Sequence, residues 1–182
     1  LAQFINNQNK RKNKKLLGEL FDFPSGTMSI GRLDQDSEGL LLLTTNGKAS
    51  ALIREKKVEK EYFIQVDGNI TNEAINKLEQ GVEISINGNP YQTLPSKSYR
   101  LDCTPRFAPR SKKIRDERHG PTSWASITIV EGKFRQVRKM AAAVGYPVLR
   151  LVRVRIGNIK LYPLSPAEVI EVEKFDIDIP GI

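Results

Sequence analysis

The chain has few of the residues that stabilise secreted or membrane-spanning proteins. Cys103 is the only cysteine among 182 residues, which excludes an internal disulfide and is typical of a reducing compartment. No apolar run approaches the roughly 20 residues that a bilayer-spanning helix needs, and no signal peptide is recognisable. We therefore expect a cytoplasmic location and no membrane partner. Cys103 is predicted to be a small buried hydrophobic residue, and the lone histidine, His119, to lie at the surface.

Internal repeats, low-complexity tracts and recognisable linkers are also missing. Hydrophobic residues make up 39% of the chain, enough to form a core in a protein of this length. We predict one domain over residues 1–182.

Positive charge is in excess, with a formal net charge of +8. It is concentrated in three clusters, whereas the C-terminal segment is acidic. The clusters are Lys10, Arg11, Lys12, Lys14 and Lys15; Arg106, Arg110, Lys112, Lys113, Arg115 and Arg118; and Lys133, Arg135, Arg138, Lys139, Arg150, Arg153 and Arg155. One cluster alone is as well explained by a solvated surface, but three together favour contact with a nucleic acid.

Residues 31–44 are the most informative segment, with the sequence Gly-Arg-Leu-Asp-Gln-Asp-Ser-Glu-Gly-Leu-Leu-Leu-Leu-Thr. Charged side chains lie between two glycines and directly before four leucines. They are Arg32, Asp34, Asp36 and Glu38. The leucine run predicts a short buried strand at residues 40–45, which would hold the charged loop against the core. We interpret the loop as part of an active site.

The order of the predicted elements indicates an α+β fold with a mixed, mostly antiparallel sheet flanked by helices. Further strands are predicted at residues 62–66, 82–86, 124–130, 148–155, 158–162 and 168–173. Helices are predicted at residues 48–54, from an N-cap at Thr71 to Gln80, and at residues 134–144. Residues 104–123, rich in arginine, lysine and proline, are predicted to form a long functional loop.

The helix at residues 134–144 is predicted to be amphipathic. At about 100° per residue, its apolar and basic side chains fall on opposite faces. The apolar face carries Val137, Met140, Ala141 and Val144, and the basic face carries Arg135, Arg138 and Lys139. Any amphipathic surface helix shows this pattern, with its basic face in solvent. Alternatively, Arg138 leaves the solvent and pairs with a buried carboxylate.

Three segments resemble the signature motifs of RsuA-type ribosomal RNA pseudouridine synthases. They are residues 31–44, the Lys-Glu-Tyr of residues 60–62, and residues 131–140, Glu-Gly-Lys-Phe-Arg-Gln-Val-Arg-Lys-Met. The phrase Pro-Thr-Ser-Trp at residues 121–124, and the lack of an N-terminal S4-like module, are most similar to the E-type large-subunit enzymes. Family members usually begin with a strand containing Lys-Pro that is missing here; we expect this to affect the sheet edge rather than catalysis.

The resemblance implies that a uridine in ribosomal RNA, of the large subunit, is isomerised to pseudouridine without metal or organic cofactor, by a monomer. Asp34 matches the aspartate that acts as nucleophile at C1′ or as base at C2′. Tyr62 matches the tyrosine that lies against the target base, and Arg138 matches the arginine that pairs with the aspartate. Val137 would pack against the tyrosine, and Arg32 would enter the RNA helix. Lys60, Arg135, Gln136 and Lys139 complete the expected RNA-binding set.

Two other functions fit parts of the sequence. Closely spaced carboxylates at residues 34, 36 and 38 are typical of Mg²⁺ or Ca²⁺ sites, which would suit a metal-dependent nuclease. A non-catalytic RNA-binding or ribosome-assembly protein could carry the same basic clusters.

Overall fold

The structure is a computed structural model that describes Phe4 and residues 15–55, 58–110, 114 and 117–177. Its strands are β1 Met28–Ser29, β2 Glu38–Gly39, β3 Leu43–Thr44, β4 Lys60–Asp67, β5 Glu83–Ile86, β6 Asn89–Gln92, β7 Lys97–Arg100, β8 Thr122–Ile129, β9 Val148–Ile156 and β10 Ile159–Lys160. Its α-helices are α1 Gly47–Glu55, α2 Asn72–Gln80 and α3 Gln136–Ala143. Short 3₁₀ helices span Leu17–Glu19 and Glu117–His119.

The central sheet has the strand order β10-β9-β4-β8-β7, with antiparallel pairing throughout, and β2 adds to β9 in parallel. Two smaller antiparallel pairs, β1 with β3 and β5 with β6, lie outside it. This confirms the predicted α+β class with a mixed, mostly antiparallel sheet.

The main core lies between one face of this sheet and the helices α2 and α3. Alternate residues of β4, among them Ile64 and Val66, are fully buried together with Ile127 of β8. Leu78 of α2 and Met140 of α3 cover them, each with no exposed surface. The apolar face predicted for the third helix is therefore the one that packs on the sheet.

Helix α2 begins and ends where the sequence predicts. The Thr71 hydroxyl accepts a hydrogen bond from the Ala74 amide at 3.3 Å, which satisfies one of the free donors of the first turn. Gly81 follows the last residue with a φ of 85°, a left-handed value that favours glycine.

One predicted strand is shorter than expected, and another is absent. Residues 40–45 form only the two-residue β3, because Leu40 and Leu42 turn into a second apolar cluster with Ile30, Val58 and Ile156 instead of joining a continuous ladder. Residues 168–173 form no strand, because their alternating apolar side chains face solvent rather than a sheet: Ile170 is 58% exposed and Val172 53%.

Two local predictions have different outcomes. Cys103 is exposed rather than buried, since it lies in a bend beyond the end of β7. His119 is exposed, as predicted.

Several residues of the basic clusters lie outside the described residues, namely Lys10, Arg11, Lys12, Lys14, Lys112, Lys113 and Arg115. Over the part of the chain that is described, no helix is long and apolar enough to cross a membrane.

We predict that Ile64→Ala lowers the free energy of unfolding by about 2–5 kcal/mol, because it opens a cavity in the fully buried face of β4. Urea denaturation measures the loss. Ile170→Ala is the matched control, since that side chain is largely exposed and its removal should cost less than about 0.5 kcal/mol. Equal losses in the two variants would contradict the assigned core.

Candidate active site

The acidic loop is fixed to the central sheet where β2 pairs with β9. Gly39 lies opposite Arg153 in this parallel pair, and the Leu40 amide donates to the Arg153 carbonyl at 2.8 Å. Gly39 has a φ of 107°, and a Cβ atom on it would lie 2.3 Å from the Arg153 carbonyl oxygen. Only glycine therefore allows the loop to approach β9 so closely.

Asp36 is the most strongly bound carboxylate of the loop. Both of its oxygens accept hydrogen bonds from Arg135, each at 2.9 Å, in a bidentate ion pair. Its backbone carbonyl accepts from Arg138 Nη2 at 2.6 Å and from Arg110 Nη2 at 2.9 Å. The Arg135 hydrogen bonds, with a smaller contribution from the positive charge of Arg138, lower the pKa of Asp36 from 3.8 to about 2, although burial opposes the shift.

Glu38 joins the loop to the segment that follows Thr104. Arg150 donates to both Glu38 oxygens, at 2.7 and 3.1 Å, and Arg110 Nε lies 3.0 Å from Oε1. The Arg150 guanidinium also lies 5.4 Å from the centre of the Phe107 ring. The first part of the predicted long loop is thus held against the site.

Asp34 is the least constrained of the three carboxylates. Its Oδ2 lies 3.5 Å from Arg135 Nη1, beyond good hydrogen-bond geometry, and no other described side chain makes an ion pair with it. Its backbone carbonyl accepts from the Ser37 amide at 2.9 Å, which closes the turn. The backbone is fixed while the carboxylate stays available.

The structure differs from the prediction on one pairing. Arg138 was expected to pair with Asp34, but its carboxylate partner is Asp36, at 3.6 Å from Nε. Arg135 takes the place nearest Asp34 because it precedes α3 in a left-handed conformation, with a φ of 53°, which directs its side chain towards the loop. Such a conformation costs a non-glycine residue about 1–3 kcal/mol, and the bidentate ion pair offsets it.

Glu131 positions the start of α3, a role that the sequence motifs did not predict. Its carboxylate accepts from the Tyr91 hydroxyl at 2.6 Å, from the Leu94 amide at 3.0 Å and from the Gln136 side chain. Gln136 is 3% exposed and also accepts from the Lys133 amide at 2.9 Å. Gln136 therefore serves an internal network rather than an open surface. The only sequence signal for Glu131 is its place in the third motif.

Tyr62 and Lys60 lie on one face of β4, next to β9, the strand to which the loop is fixed through β2. Tyr62 is opposite Arg153 of β9 in the strand register and packs against the main core, which includes Val137. Lys60 Nζ donates to the Val130 carbonyl at 3.2 Å, and burial together with the charge of Arg153 lowers its pKa.

The remaining predicted residues lie around this centre. Arg32 is exposed, and its backbone carbonyl lies 3.5 Å from Arg153 Nη1. Lys139 faces away from the acidic loop, because its Nζ donates to the Ser85 carbonyl at 2.6 Å. Among the described residues, no group of three histidine, cysteine or acidic side chains is arranged to hold a metal ion.

Comparison with known proteins identifies the family. A family model described as RNA pseudouridylate synthase matches residues 5–143. The chain belongs to this family. The ribosomal large subunit pseudouridine synthase E of Vibrio parahaemolyticus is 41% identical over 147 residues, which is 80% of this chain and 60% of the Vibrio protein. The enzyme of the same name from Xanthomonas campestris is 41% identical over 157 residues, which is 85% of this chain and 81% of that protein.

The solved structures agree with this assignment to the RNA pseudouridylate synthases. A crystal structure of a pseudouridylate synthase superimposes with a TM-score of 0.64 at 29% identity, over 80% of this chain and 56% of that one. Together with the relatives, it confirms the resemblance to RsuA-type and E-type enzymes that the motifs indicated.

The lowered pKa of Asp36 predicts a specific pH dependence of stability. Because the pKa falls on folding, the ionised group contributes stability above about pH 4, and this contribution disappears as the pH falls towards 2. We expect the difference in unfolding free energy between wild type and Asp36→Asn to shrink by about 1–2 kcal/mol from pH 5 to pH 2. Urea denaturation across this range measures it.

Asp176→Asn is the control, since that side chain is exposed and makes no described ion pair. Its effect on the unfolding free energy should stay small at every pH. A difference for Asp36→Asn that does not vary with pH would contradict the ion pair with Arg135.

Proposed function

We propose that the chain is a pseudouridine synthase that isomerises a specific uridine of large-subunit ribosomal RNA, with Asp34 as the catalytic carboxylate. Family membership and the names of its relatives support the reaction and the class of RNA. The observation that carries the assignment of Asp34 is its contrast with its neighbours. Arginines bind Asp36 and Glu38 at hydrogen-bond distance, whereas Asp34 sits on the same fixed loop with its carboxylate available.

The isomerisation breaks the bond between N1 of uracil and C1′ of ribose and forms one between C5 and C1′. The C5 proton leaves and N1 gains a proton, so no atom or electron is exchanged with a second substrate. A carboxylate suits either part assigned to Asp34: it can form a covalent adduct at C1′ or accept a proton from C2′. The reaction itself requires no redox or group-transfer cofactor.

Tyr62 is proposed to lie against the target base and to take part in the proton transfer at C5. The uridine must leave its stack before it reacts, at a cost of a few kcal/mol. Stacking on an aromatic ring contributes about 1–3 kcal/mol and offsets part of this cost. Tyr62 is suitably placed, because it is only partly buried and lies on β4 beside the strand that holds the loop.

The arginines are proposed to divide into positioning and RNA-binding groups. Arg135 and Arg138 hold the loop that carries Asp34, through their contacts with Asp36. Arg32 is exposed at the entrance to the same loop and is the proposed RNA contact. Lys139 would contact RNA only from the side of the β5–β6 pair, because its Nζ donates to the Ser85 carbonyl of β5. We further propose that residues 1–182 act as one catalytic domain, as a monomer, in the cytoplasm.

We predict that Asp34→Asn reduces pseudouridine formation roughly 10³-fold or more under single-turnover conditions, because the amide is neither nucleophile nor base. Affinity for a large-subunit RNA fragment should change little. Asp22→Asn, at an exposed carboxylate outside the loop, should retain full activity. Activity retained by Asp34→Asn would overturn this role, and an unmodified fragment even with wild type would favour the non-catalytic RNA-binding alternative.

The affinity for RNA should fall steeply with salt, because a chain of net charge +8 displaces counterions from phosphates. We expect the logarithm of the binding constant to fall by about 0.7–0.9 per neutralised phosphate against the logarithm of salt concentration. Fluorescence anisotropy with a labelled fragment measures this slope. A flat profile would contradict the basic clusters as the RNA-binding surface.

A further inference from the structure

The site contains more positive than negative charge. Three carboxylates of the acidic loop are contacted by four arginines, namely Arg110, Arg135, Arg138 and Arg150. Two further cations lie beside them, Arg153 and Lys60, and neither makes an ion pair with any described carboxylate. Unpaired buried charge is costly, so a protein keeps it where a ligand or reaction supplies the opposite charge.

Arg153 is fixed beneath the loop that carries Asp34. It is 5% exposed, its Nε donates to the Leu40 carbonyl at 2.8 Å, and its Nη1 lies 3.5 Å from the Arg32 carbonyl. It thus donates a close hydrogen bond at the Leu40 end of the loop and makes a longer contact at the Arg32 end. Its Nη2 is buried and donates to no described residue. A positively charged guanidinium with one unused donor therefore lies under the acidic loop.

Lys60 brings a second cation to the same face of the sheet. It is two residues from Tyr62 along β4, so both side chains point to one face, and Arg153 is opposite Tyr62 in the register. The only hydrogen bond that Lys60 donates to a described residue is to the Val130 carbonyl. The proposed base-stacking tyrosine thus has one cation two residues before it on β4 and another opposite it on β9, and neither makes an ion pair with a described carboxylate.

We propose that Arg153 and Lys60 form an anion subsite that stabilises the uracil base after it has left the ribose. This rests on the proposed function. When the N1–C1′ bond breaks, its electron pair stays on the base, whose negative charge spreads over N1 and the O2 and O4 oxygens. The charge disappears when C5 bonds to C1′; the C5 proton then leaves and N1 gains a proton, so the product stays neutral. Fixed cations in a buried site stabilise such transient charge effectively.

An RNA phosphate is the other anion that these cations could bind. The phosphate and the detached uracil differ in when they carry their negative charge. A phosphate is charged before the reaction, so its loss would weaken binding. The uracil charge exists only during the reaction, so its loss would slow catalysis and leave affinity unchanged. The burial of Arg153 favours the uracil, because a hydrated backbone phosphate is recognised at an open surface.

The test compares Arg153→Met, Arg153→Lys and wild type on two RNA fragments, one with uridine and one with 5-fluorouridine at the target position. Fluorine stabilises the negative charge on the detached base, so the rate depends less on stabilisation of that charge by the protein. Single-turnover consumption of the target nucleoside and RNA affinity are measured for each. Lys77→Met, at an exposed lysine of α2, controls for the loss of one positive charge.

We expect Arg153→Met to slow the uridine reaction about 10²-fold or more, with unchanged affinity, and to slow the 5-fluorouridine reaction at least about tenfold less. Arg153→Lys keeps the charge and should recover most of the rate. If Arg153→Met does not fold, Lys60→Met carries the same comparison.

Equal losses on the two fragments, with no recovery in Arg153→Lys, would overturn the proposal and leave Arg153 a structural residue. Weakened binding at an unchanged rate would overturn it in favour of a phosphate contact. If wild type converts neither fragment, the proposed function fails rather than this inference alone.

Discussion

The bidentate ion pair between Arg135 and Asp36 is the interaction on which the site depends. It joins two segments that are 99 residues apart in sequence, the acidic loop and the start of α3. Arg138 adds a bond to the backbone of the same aspartate, and Gly39 lets the loop lie directly on β9. The loop is therefore fixed from both sides. Neither carboxylate oxygen of Asp34 takes part in these contacts at hydrogen-bond distance.

Under the proposed function, this arrangement assigns different carboxylates to holding the loop and to the reaction. Carboxylates that accept strong hydrogen bonds lose basicity and nucleophilicity, as the lowered pKa of Asp36 illustrates. Asp36 and Glu38 bind the arginines, whereas Asp34, the proposed catalytic carboxylate, lies on the same fixed backbone without a hydrogen bond from a described side chain. A fixed backbone with a free reactive group is what catalysis by positioning requires.

Local sequence features predicted the local structure well, and long-range contacts account for what was missed. The cap of Thr71 and the positive φ of Gly81 can be read from neighbouring residues, so both ends of α2 were predictable. The alternating apolar residues of 168–173 satisfy the strand pattern, but the segment pairs with no described strand and its side chains Ile170 and Val172 face solvent. The sequence presents Arg153 only as a member of a charge cluster and Glu131 only as part of a motif, because Leu40, Tyr91 and Leu94, which they contact, lie far away in sequence. Arg153 is also buried, which charge patterning does not reveal.

The most direct test of the whole account is a map of pseudouridines in ribosomal RNA from cells with and without this protein. We expect one uridine of the large-subunit RNA to lose its modification when the protein is absent and to regain it when the wild-type protein is restored. Identical maps in the two kinds of cell, with every large-subunit pseudouridine retained, would contradict it.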